Sequence, residues 1–266
     1  MRASNPDIPT PIGELSIVQS LGERLNVAHF HPGGFEAHPF LVKSYNELVG
    51  PKFRLDYPDH TLAWVVLSRP SMFENTFLPF LKRTKNDPGV FDRDPLDQCM
   101  WRTFQDLKEQ FEPEFGRIDV MHDFEIRPNR RPKILVQTAA HVSGSVRLFR
   151  ESDVTEDPSL LKPIQSPKIY PVCLHPIWSG WFAIRGVFLF RDIQVDPPVL
   201  ASKPCDLELP EALIAELLRL YNDHWQDCRF RDSVHPAREK YSSVQQDYFA
   251  AKPAERIKVI EPYLAS

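Results

Sequence analysis

The chain has 266 residues, of which 42% are hydrophobic and 26% charged, and its formal net charge is −4. This composition is ordinary for a globular protein with a substantial core, and the small net charge excludes a general attraction to nucleic acid or to an anionic membrane surface. No apolar run reaches the roughly 18 residues of a membrane-spanning helix, so none is predicted. Four widely spaced cysteines predict reduced thiols in a cytoplasmic protein: Cys99, Cys173, Cys205 and Cys228.

The N-terminal part of the chain shows helical and then strand patterns. Apolar residues recur at helical spacing from Leu15 to Leu25, and Gly33-Gly34 ends this helix. Leu62–Ser68 is a continuous apolar run, which is typical of a strand buried on both faces. Ser71 and Glu74 have the spacing of a capping box, so we expect a new helix to begin there.

The rest of the chain mixes helices and strands without strict alternation, which favours an α+β fold over a doubly wound sheet. We expect residues 1–30 to form an N-terminal extension with a helix and residues 31–266 to form a single domain. The remaining predicted elements are a helix from Asp94-Pro95 to about Phe111, strands at Ile118–Phe124, Val172–His175 and Trp181–Phe190, and helices from Lys133, at Leu213–Trp225 and at Ala237–Phe249.

The stretch Pro128–Gly144, PNRRPKILVQTAAHVSG, is the most distinctive in the chain. Two prolines enclose a cationic turn, and a helix with small residues follows. Thr138, Ala139 and Ala140 would let another group approach this helix closely. The pattern fits a surface that lies against a bulky ligand, but a core helix with a charged cap is the commoner explanation.

Arg185 lies in the middle of the apolar strand pattern WFAIRGVFLF. A buried arginine is costly unless its charge is paired. One interpretation is an internal ion pair with Asp123 or Asp192. The other is a guanidinium held ready for the carboxylate of a ligand. Two further arginines, in FRDSV and PAERIKV, would fit a small polyanionic ligand if all three met, and the spacing does not decide this.

Common catalytic signatures are absent from the sequence. It contains no glycine-rich dinucleotide loop, P-loop, nucleophile elbow or zinc-protease motif, and no catalytic triad can be assembled. His29, His31 and His38 are close in sequence, but a zinc site needs a convergent fourth ligand, so we do not expect one. Cys173 is flanked by apolar residues and is interpreted as a small buried hydrophobe.

Several blocks of the sequence resemble one family closely. PNRRPKILVQTAAHVSG, GWFAIRGV, DPLDQC, GFEAHPFLVKSYNEL and FRDSV occur in the order and spacing of the intracellular cobalamin-processing proteins of the methylmalonic aciduria and homocystinuria type C family. The resemblance extends from about Gly34 to Arg256. It implies a flavin-reductase or nitroreductase-like α+β fold, with a central antiparallel or mixed sheet flanked by helices.

The resemblance also implies an activity and its co-reactants. Members of this family bind cobalamin with its lower base detached and remove the upper ligand. Alkyl groups pass to the thiolate of glutathione, and cyanide leaves reductively with electrons from reduced FMN or FAD or from glutathione. The family further implies a cytoplasmic monomer or homodimer that hands cobalamin to a trafficking protein and to methionine synthase, with no nucleic acid or membrane partner.

Matching positions give the site residues that the resemblance implies. Arg185, Arg231 and Arg256 would bind glutathione. The cobalamin site would be formed by Asp123, Ile134, Leu135, Val136, Gln137, Leu148, Phe149, Arg150, Cys173 and Ile184. His141 belongs to an H-x-x-G pattern that ligates cobalt in some corrinoid proteins, but the Asp that orients the imidazole there is Ala139 here. We expect His141 to be a core residue and the protein to supply no cobalt ligand.

This chain departs from the family pattern in places. Leu148-Phe149-Arg150 replaces a tyrosine-rich run, Ser179-Gly180 replaces a glycine pair, and a proline-rich C-terminal tail of vertebrate members has no counterpart. A changed pocket could shield reduced cobalamin less well from oxygen, which would add a glutathione oxidase side activity. Two alternatives remain open: a cobalamin chaperone without catalysis, and a flavin reductase that uses no corrinoid.

Overall fold

The fold was analysed in a computed structural model, which describes residues 13–91, 94–200 and 204–264. Its α-helices are α1 (Glu14–Glu23), α2 (His31–Gly33), α3 (Val42–Leu48), α4 (Leu78–Thr84), α5 (Pro88–Phe91), α6 (Pro95–Phe115), α7 (Val136–Val142), α8 (Glu211–His224), α9 (Ser243–Ala250) and α10 (Arg256–Leu264). π-Helical turns at Arg24–Phe30 and Phe73–Phe77 join α1 to α2 and lead into α4. The strands are β1 (Phe35–Leu41), β2 (Thr61–Ser68), β3 (Ile118–His122), β4 (Arg147–Phe149), β5 (Val172–Leu174) and β6 (Ala183–Gln194).

The predicted α+β class with a central antiparallel sheet flanked by helices is confirmed. Four strands form this sheet in the order β1-β2-β6-β3, and every neighbouring pair is antiparallel. A second, two-stranded sheet pairs β4 with β5. Every residue of β2 is buried, because this strand lies between two neighbours and both of its faces are covered. This accounts for its continuous apolar sequence.

Helices cover both faces of the central sheet. On one face α1, α4, α6, α9 and α10 contribute to a core that includes Trp64, Phe104 and Phe188. On the other face α3 and α7 pack with side chains such as Tyr45 and Val65. A third cluster packs α8 against the small β4-β5 sheet. No helix in the described ranges is both long and apolar enough to cross a membrane.

Side chains close the two outer edges of the central sheet. The side-chain amide of Asn26 forms the hydrogen bonds that a neighbouring strand would otherwise make with β1. Its oxygen accepts the N–H of Ala37 at 2.7 Å, and its nitrogen donates to the Ala37 carbonyl at 2.9 Å. At the other edge the carboxylate of Glu112 accepts the N–H of Ile118, and Glu125 accepts that of His122. These contacts satisfy backbone groups that would otherwise pair with another chain.

A β-bulge in β6 determines the position of Arg185. Ile184 pairs with Leu67 and Gly186 with Val66, so Arg185 is the extra residue between them. Gly186 has φ +156°, and a Cβ there would lie 2.5 Å from the carbonyl oxygen of Met121. Bulges of this kind redirect a side chain next to a site.

The helix expected from Lys133 begins later, at Val136. Residues 126–133 instead form a hairpin-like turn, in which the N–H of Lys133 donates to Glu125 and that of Arg127 to Arg131. The small residues Thr138, Ala139 and Ala140 are buried. The core-helix interpretation therefore holds for the middle of α7, while its first residues reach the site described below.

Two helix starts differ in detail from the prediction. A helix begins beside Ser71 as expected, at Phe73, but no side chain caps it, and the Glu74 carboxylate accepts a hydrogen bond from Ser242 on another segment. The helix predicted from Ala237 begins at Ser243, where the Ser242 hydroxyl accepts the N–H of Gln245 as the N-cap. By contrast, Asp94 caps α6 as predicted, accepting the N–H of Leu96 at 3.0 Å.

Candidate functional site

A cavity of about 480 Å³ opens beside the start of β6, between α7, β5 and α8. Residues from distant parts of the sequence form its wall. They are Asp123, Val136, Gln137, Val172, Cys173, Gly180, Phe182, Ala183, Ile184, Tyr221, Phe230 and Arg231. Five of the residues predicted for the cobalamin site and one predicted for glutathione therefore share one surface.

A second cavity, of about 430 Å³, continues the first along α8. The two share Tyr221, Phe230 and Arg231, so together they form one cleft, and the second cavity adds Tyr170 and Trp225. The Arg231 guanidinium lies at this junction, between 4.9 and 5.5 Å from the ring centres of Trp181, Phe230 and Tyr241. The cleft thus combines flat aromatic faces with a fixed cation, as ligand sites commonly do.

Asp123 supplies a carboxyl to the cavity wall. Its side chain reaches the solvent of the cavity, but the surrounding protein removes enough water to raise its pKa to about 6, and the nearby Arg185 guanidinium opposes this rise. The backbone N–H of Asp123 donates to the Arg185 carbonyl at 3.2 Å. The cavity wall therefore carries a carboxyl whose pKa is raised towards neutral pH.

Arg185 lies directly behind this wall and is only 7% exposed. Its Nε donates to the hydroxyl of Ser68 at 2.8 Å, whereas its Nη2 is buried with no hydrogen-bond partner among the described residues. Asp192 is not its partner, because that carboxylate forms an ion pair with Arg117 at 2.7 Å. Of the two predicted partners, Asp123 is the one that interacts with the Arg185 charge.

Arg256 already has an anionic partner. Its guanidinium pairs with the carboxylate of Asp94 and lies 5.3 Å from the ring centre of Tyr248. Burial and the neighbouring carboxylates raise the pKa of Asp97 to about 6. The positive charges of Arg185 and Arg256 oppose this rise without cancelling it. The structure thus brings Arg185 and Arg231 to the cavity wall or just behind it, and it holds Arg256 at the start of α6.

The inner wall of the cavity carries an amide and a thiol. The Gln137 side chain donates to the Pro171 carbonyl at 3.2 Å, and the Cys173 thiol lies 3.9 Å from the Gln137 carbonyl oxygen. Burial raises the pKa of Cys173 far above its ordinary value, although the positive charge of Arg150 opposes this. A thiol in this environment is not ionised at neutral pH and is a poor nucleophile.

The other five residues predicted for the cobalamin site do not line the cavity in the described structure. One of them is Arg150, whose N–H donates to the Asp153 carboxylate at 2.9 Å. Ile134 is 2% exposed and both Leu148 and Phe149 are 1% exposed, so their side chains belong to the core behind the wall. Leu135 is partly buried, and its N–H donates to the hydroxyl of Tyr45 at 2.9 Å. These residues hold α7 and β4 in place.

His141 does not line either part of the cleft in the described structure. Its Nδ1 lies 3.3 Å from the Val146 carbonyl oxygen, and burial lowers its pKa. This is the arrangement of a hydrogen-bonded, half-buried histidine. Cobalt ligation by His141 has no support from its position.

The three N-terminal histidines do not form a possible metal-binding group by themselves among the described residues, although His31 lies close enough to Glu36 and His38 for their charges to affect its pKa. His29 packs on Phe111, while His38 lies near Glu36 and His175, and the possible ligand atoms of these last three are all within 4.8 Å of one another. Sequence reasoning missed this group, because His175 is more than 130 residues away from the others along the chain. It also missed Tyr221 and Phe230 in the cleft, which have the pattern of ordinary core residues.

Fold and site together define an α+β protein with a cleft of small-molecule size beside one end of its central sheet. Residues 34–260 match the methylmalonic aciduria and homocystinuria type C family. The chain belongs to this family, as the sequence blocks predicted.

Curated relatives support this membership over most of the chain. A Gallus gallus protein named cyanocobalamin reductase / alkylcobalamin dealkylase is 45% identical over 242 residues, covering 91% of this chain and 96% of the relative. The Homo sapiens protein of the same name is 42% identical over 229 residues, covering 86% and 77%. A crystal structure of a Caenorhabditis elegans B12-trafficking protein, CblC, has a TM-score of 0.84 at 30% identity and covers 94% of this chain and 97% of its own.

Proposed function

We propose that this protein binds cobalamin in the cleft and removes its upper ligand, by decyanation of cyanocobalamin and dealkylation of alkylcobalamins. The observation that carries the proposal is the shared cavity wall of Asp123, Val136, Gln137, Cys173 and Ile184. The family resemblance assigned these residues to cobalamin from sequence alone, and the relatives named above are cobalamin-processing enzymes.

Cobalamin is the substrate here, and its lower base would be detached when it binds. Loss of this nitrogen ligand makes the cobalt easier to reduce and makes the upper ligand easier to displace. We assign no protein ligand to the cobalt, since His141 lies away from the cleft. The protein's part is to hold the corrin ring and to position the incoming reductant, which can account for a large share of the rate of such a displacement.

Dealkylation requires a thiolate, and Cys173 does not provide one because its pKa is raised. We assign this role to glutathione, as the family resemblance implies. Its sulfur attacks the alkyl carbon, a carbon–sulfur bond forms, and the cobalt–carbon bond breaks with both electrons remaining on cobalt. The products are an S-alkyl glutathione and cob(I)alamin. No electron acceptor or donor besides these reactants is needed.

Arg231 and Arg185 would bind the two carboxylates of glutathione. Arg231 lies at the junction of the cleft, and the unpartnered Nη2 of Arg185 is a donor with no internal acceptor among the described residues. An arginine fork matches a carboxylate well. Arg256 would join this set only when its ion pair with Asp94 opens, so we place it last among the three.

Decyanation requires electrons, which we assign to reduced FMN or FAD or to glutathione. A flavin-reductase or nitroreductase-like origin of the fold would agree with this use of flavin. We treat the flavin as a dissociable reductant and assign no residue of the chain to it.

Arg231→Gln and Arg185→Gln test the enzyme proposal. Both variants should still bind methylcobalamin, but should lose about tenfold or more in glutathione-dependent dealkylation, because a charged carboxylate contact is lost. Arg229→Gln is a matched control, since Arg229 is exposed and pairs with Asp227 at 2.7 Å. Unchanged dealkylation by both variants would contradict the assignment of glutathione to these arginines.

A cobalamin chaperone without catalysis is the alternative, and it is favoured by the similarity to the C. elegans protein, which is a B12-trafficking protein. A chaperone would shift the cobalamin spectrum but leave the cobalt–carbon bond intact when glutathione is added. In either case we propose a cytoplasmic location and transfer of cobalamin to a downstream trafficking protein and to methionine synthase. We leave monomer and homodimer as equal proposals.

We also propose a glutathione oxidase side activity. Cob(I)alamin that meets oxygen is oxidised, and renewed reduction by glutathione would close a cycle that consumes both oxygen and thiol. Oxygen uptake by the protein with cobalamin and glutathione should exceed that of free cobalamin with glutathione. Equal rates would contradict this side activity without affecting dealkylation.

A further inference from the structure

The turn between β5 and β6 is organised by one buried histidine. The N–H of His175 donates to the Ser179 carbonyl at 2.8 Å, and the N–H of Ser179 donates back at 2.9 Å. The His175 ring closes the same turn, because its Nδ1 accepts the N–H groups of Ile177 at 3.0 Å and Trp178 at 3.2 Å. His175 is only 3% exposed.

These contacts determine the tautomer of His175. An Nδ1 that accepts two backbone N–H groups carries no proton, so the proton of the neutral ring is on Nε2. Nε2 lies 2.8 Å from a carboxylate oxygen of Glu36 on β1. Burial alone would raise the pKa of Glu36, but the contacts with His175 and then His38 hold it well below its ordinary value.

The same tautomer argues against a metal at Glu36, His38 and His175, although their ligand atoms lie within 4.8 Å of one another. A metal at Nε2 would have to displace the proton, and Nδ1 could not take that proton while it accepts two N–H groups. The Glu36 carboxylate is therefore in direct contact with the His175 ring, at 2.8 Å, and this contact links the turn to the edge strand β1.

The anchored turn holds Arg231 by its backbone. The N–H of Gly180 donates to the Arg231 carbonyl at 3.0 Å, and the Arg231 guanidinium donates to the Gly180 carbonyl. A Cβ on Gly180 would lie 2.5 Å from the Arg231 Cα, so the two segments are in direct contact. Phe182, which lines the cavity, also contacts the His175 ring, with 5.7 Å between the ring centres.

We propose that His175, held by Glu36, is a positioning residue for Arg231. It fixes the turn on which the Arg231 guanidinium rests, and through it the site for a carboxylate of the thiol substrate. This inference rests on the proposed glutathione step. It predicts a defect in thiol binding, with the chemical step and cobalamin binding preserved.

His175→Asn and Glu36→Gln are the test variants. An asparagine oxygen can still accept the turn N–H groups but cannot reach Glu36, and a glutamine keeps the shape of Glu36 without its charge. His175→Asn should raise the KM for glutathione about tenfold and change kcat by less than about twofold, with a smaller effect for Glu36→Gln. His60→Asn is the control, since this imidazole is partly exposed and pairs with Asp196 at 3.3 Å.

A double variant tests whether His175 acts through Arg231. The KM of Arg231→Gln/His175→Asn should equal that of Arg231→Gln alone, because the residue being positioned is already lost. A full additional rise in the double variant would overturn the inference. An unchanged KM for glutathione in Arg231→Gln would instead contradict the assignment of glutathione to Arg231. The predicted effect of His175 on thiol binding would then be contradicted as well.

Hydrogen exchange distinguishes a failure of the positioning role of His175 from a failure of the glutathione assignment, because it is measured without any ligand. Peptides that cover residues 176–182 and 228–233 should exchange faster in His175→Asn than in the wild type and in His60→Asn. Unchanged exchange would overturn the inference whatever the kinetics show. Faster exchange with an unchanged KM for glutathione would also overturn it, provided that Arg231→Gln raises that KM.

Discussion

Three neighbouring residues at the end of the sheet differ in how burial affects their charge. Arg185 is buried, donates one hydrogen bond to Ser68 and lies near the Asp123 carboxyl. Asp123 faces the cavity with a pKa raised to about 6. His122 is buried between the rings of Phe104 and Phe124, and neither of its ring nitrogens has a hydrogen-bond partner among the described residues. We therefore expect His122 to affect stability at acid pH and Asp123 to affect thiol binding.

His122 should make the protein sensitive to acid. Burial lowers its pKa to about 4, so above about pH 6.5 the ring is neutral in both the folded and unfolded states. As the pH falls below 6.5 the unfolded chain binds the proton first, and by about pH 5 this should cost about 2 kcal/mol of stability. The measurement is the free energy of unfolding in urea at about pH 7.5 and at about pH 5. Its decrease between the two pH values should be about 2 kcal/mol smaller in His122→Leu than in the wild type.

His60→Leu is the control for this prediction, because that imidazole is partly exposed. It should follow the pH dependence of the wild type. An identical loss of stability in His122→Leu and the wild type would show that His122 is not the buried group that binds the proton.

Asp123 should make thiol binding depend on pH. Its ionised carboxylate shares the cavity with Arg231 and repels the carboxylates of glutathione, so protonation below about pH 6 should tighten binding by about fivefold. S-methylglutathione is the suitable probe in calorimetry, since it has no thiol that could titrate. Asp123→Asn should bind at about pH 7.5 as tightly as the wild type does in acid.

Asp106→Asn provides the comparison for Asp123. Asp106 is exposed on α6 and does not line the cleft in the described structure. This variant should keep the pH dependence of the wild type. A variant Asp123→Asn whose affinity still changes with pH as in the wild type would contradict the prediction.

At the scale of elements, the sheet depends on side chains that close its edges. Asn26→Ala would leave the N–H and carbonyl of Ala37 without their partners, and Ala37 is only 2% exposed. The expected loss is about 2 kcal/mol in the free energy of unfolding, measured in urea. Asn75→Ala is the control, because its contact with the Pro32 carbonyl is exposed and long, at 3.2 Å. Equal stabilities of the two variants would contradict this role of Asn26.

The sequence predicts well those elements whose residues all respond to one local requirement, such as burial on both faces or the capping of a helix. The run from Leu62 to Leu67 is apolar throughout because β2 is covered on both faces, and Asp94 before Pro95 has the ordinary chemistry of a helix start. The strand β1 is not predicted, since Pro39 interrupts its pattern and its Glu36 serves the turn at His175. The spacing at residues 71–74 correctly predicts a helix start, but the Glu74 carboxylate accepts a hydrogen bond from a distant serine, which no local pattern indicates.

At the scale of the whole molecule, the residues of the site are far apart along the chain. The family resemblance identified Asp123, Gln137 and Cys173, and the fold brings them to one cavity wall with Arg231. No local pattern predicts that Arg185 lies in a bulge behind this wall or that the C-terminal arginine of the predicted set pairs with a carboxylate at the start of α6. Those placements depend on the pairing of β2 with β6 and on the packing of the C-terminal helices, which are long-range contacts.

The most direct test of cobalamin processing is an anaerobic absorbance titration of the purified protein with methylcobalamin, followed by glutathione. We predict a shift to the spectrum of cobalamin with its lower base detached, and then conversion to cob(I)alamin when the thiol is added. A shift without conversion would leave a cobalamin chaperone and contradict the enzyme proposal. No shift at all would contradict cobalamin binding in this cleft, and with it the central claim.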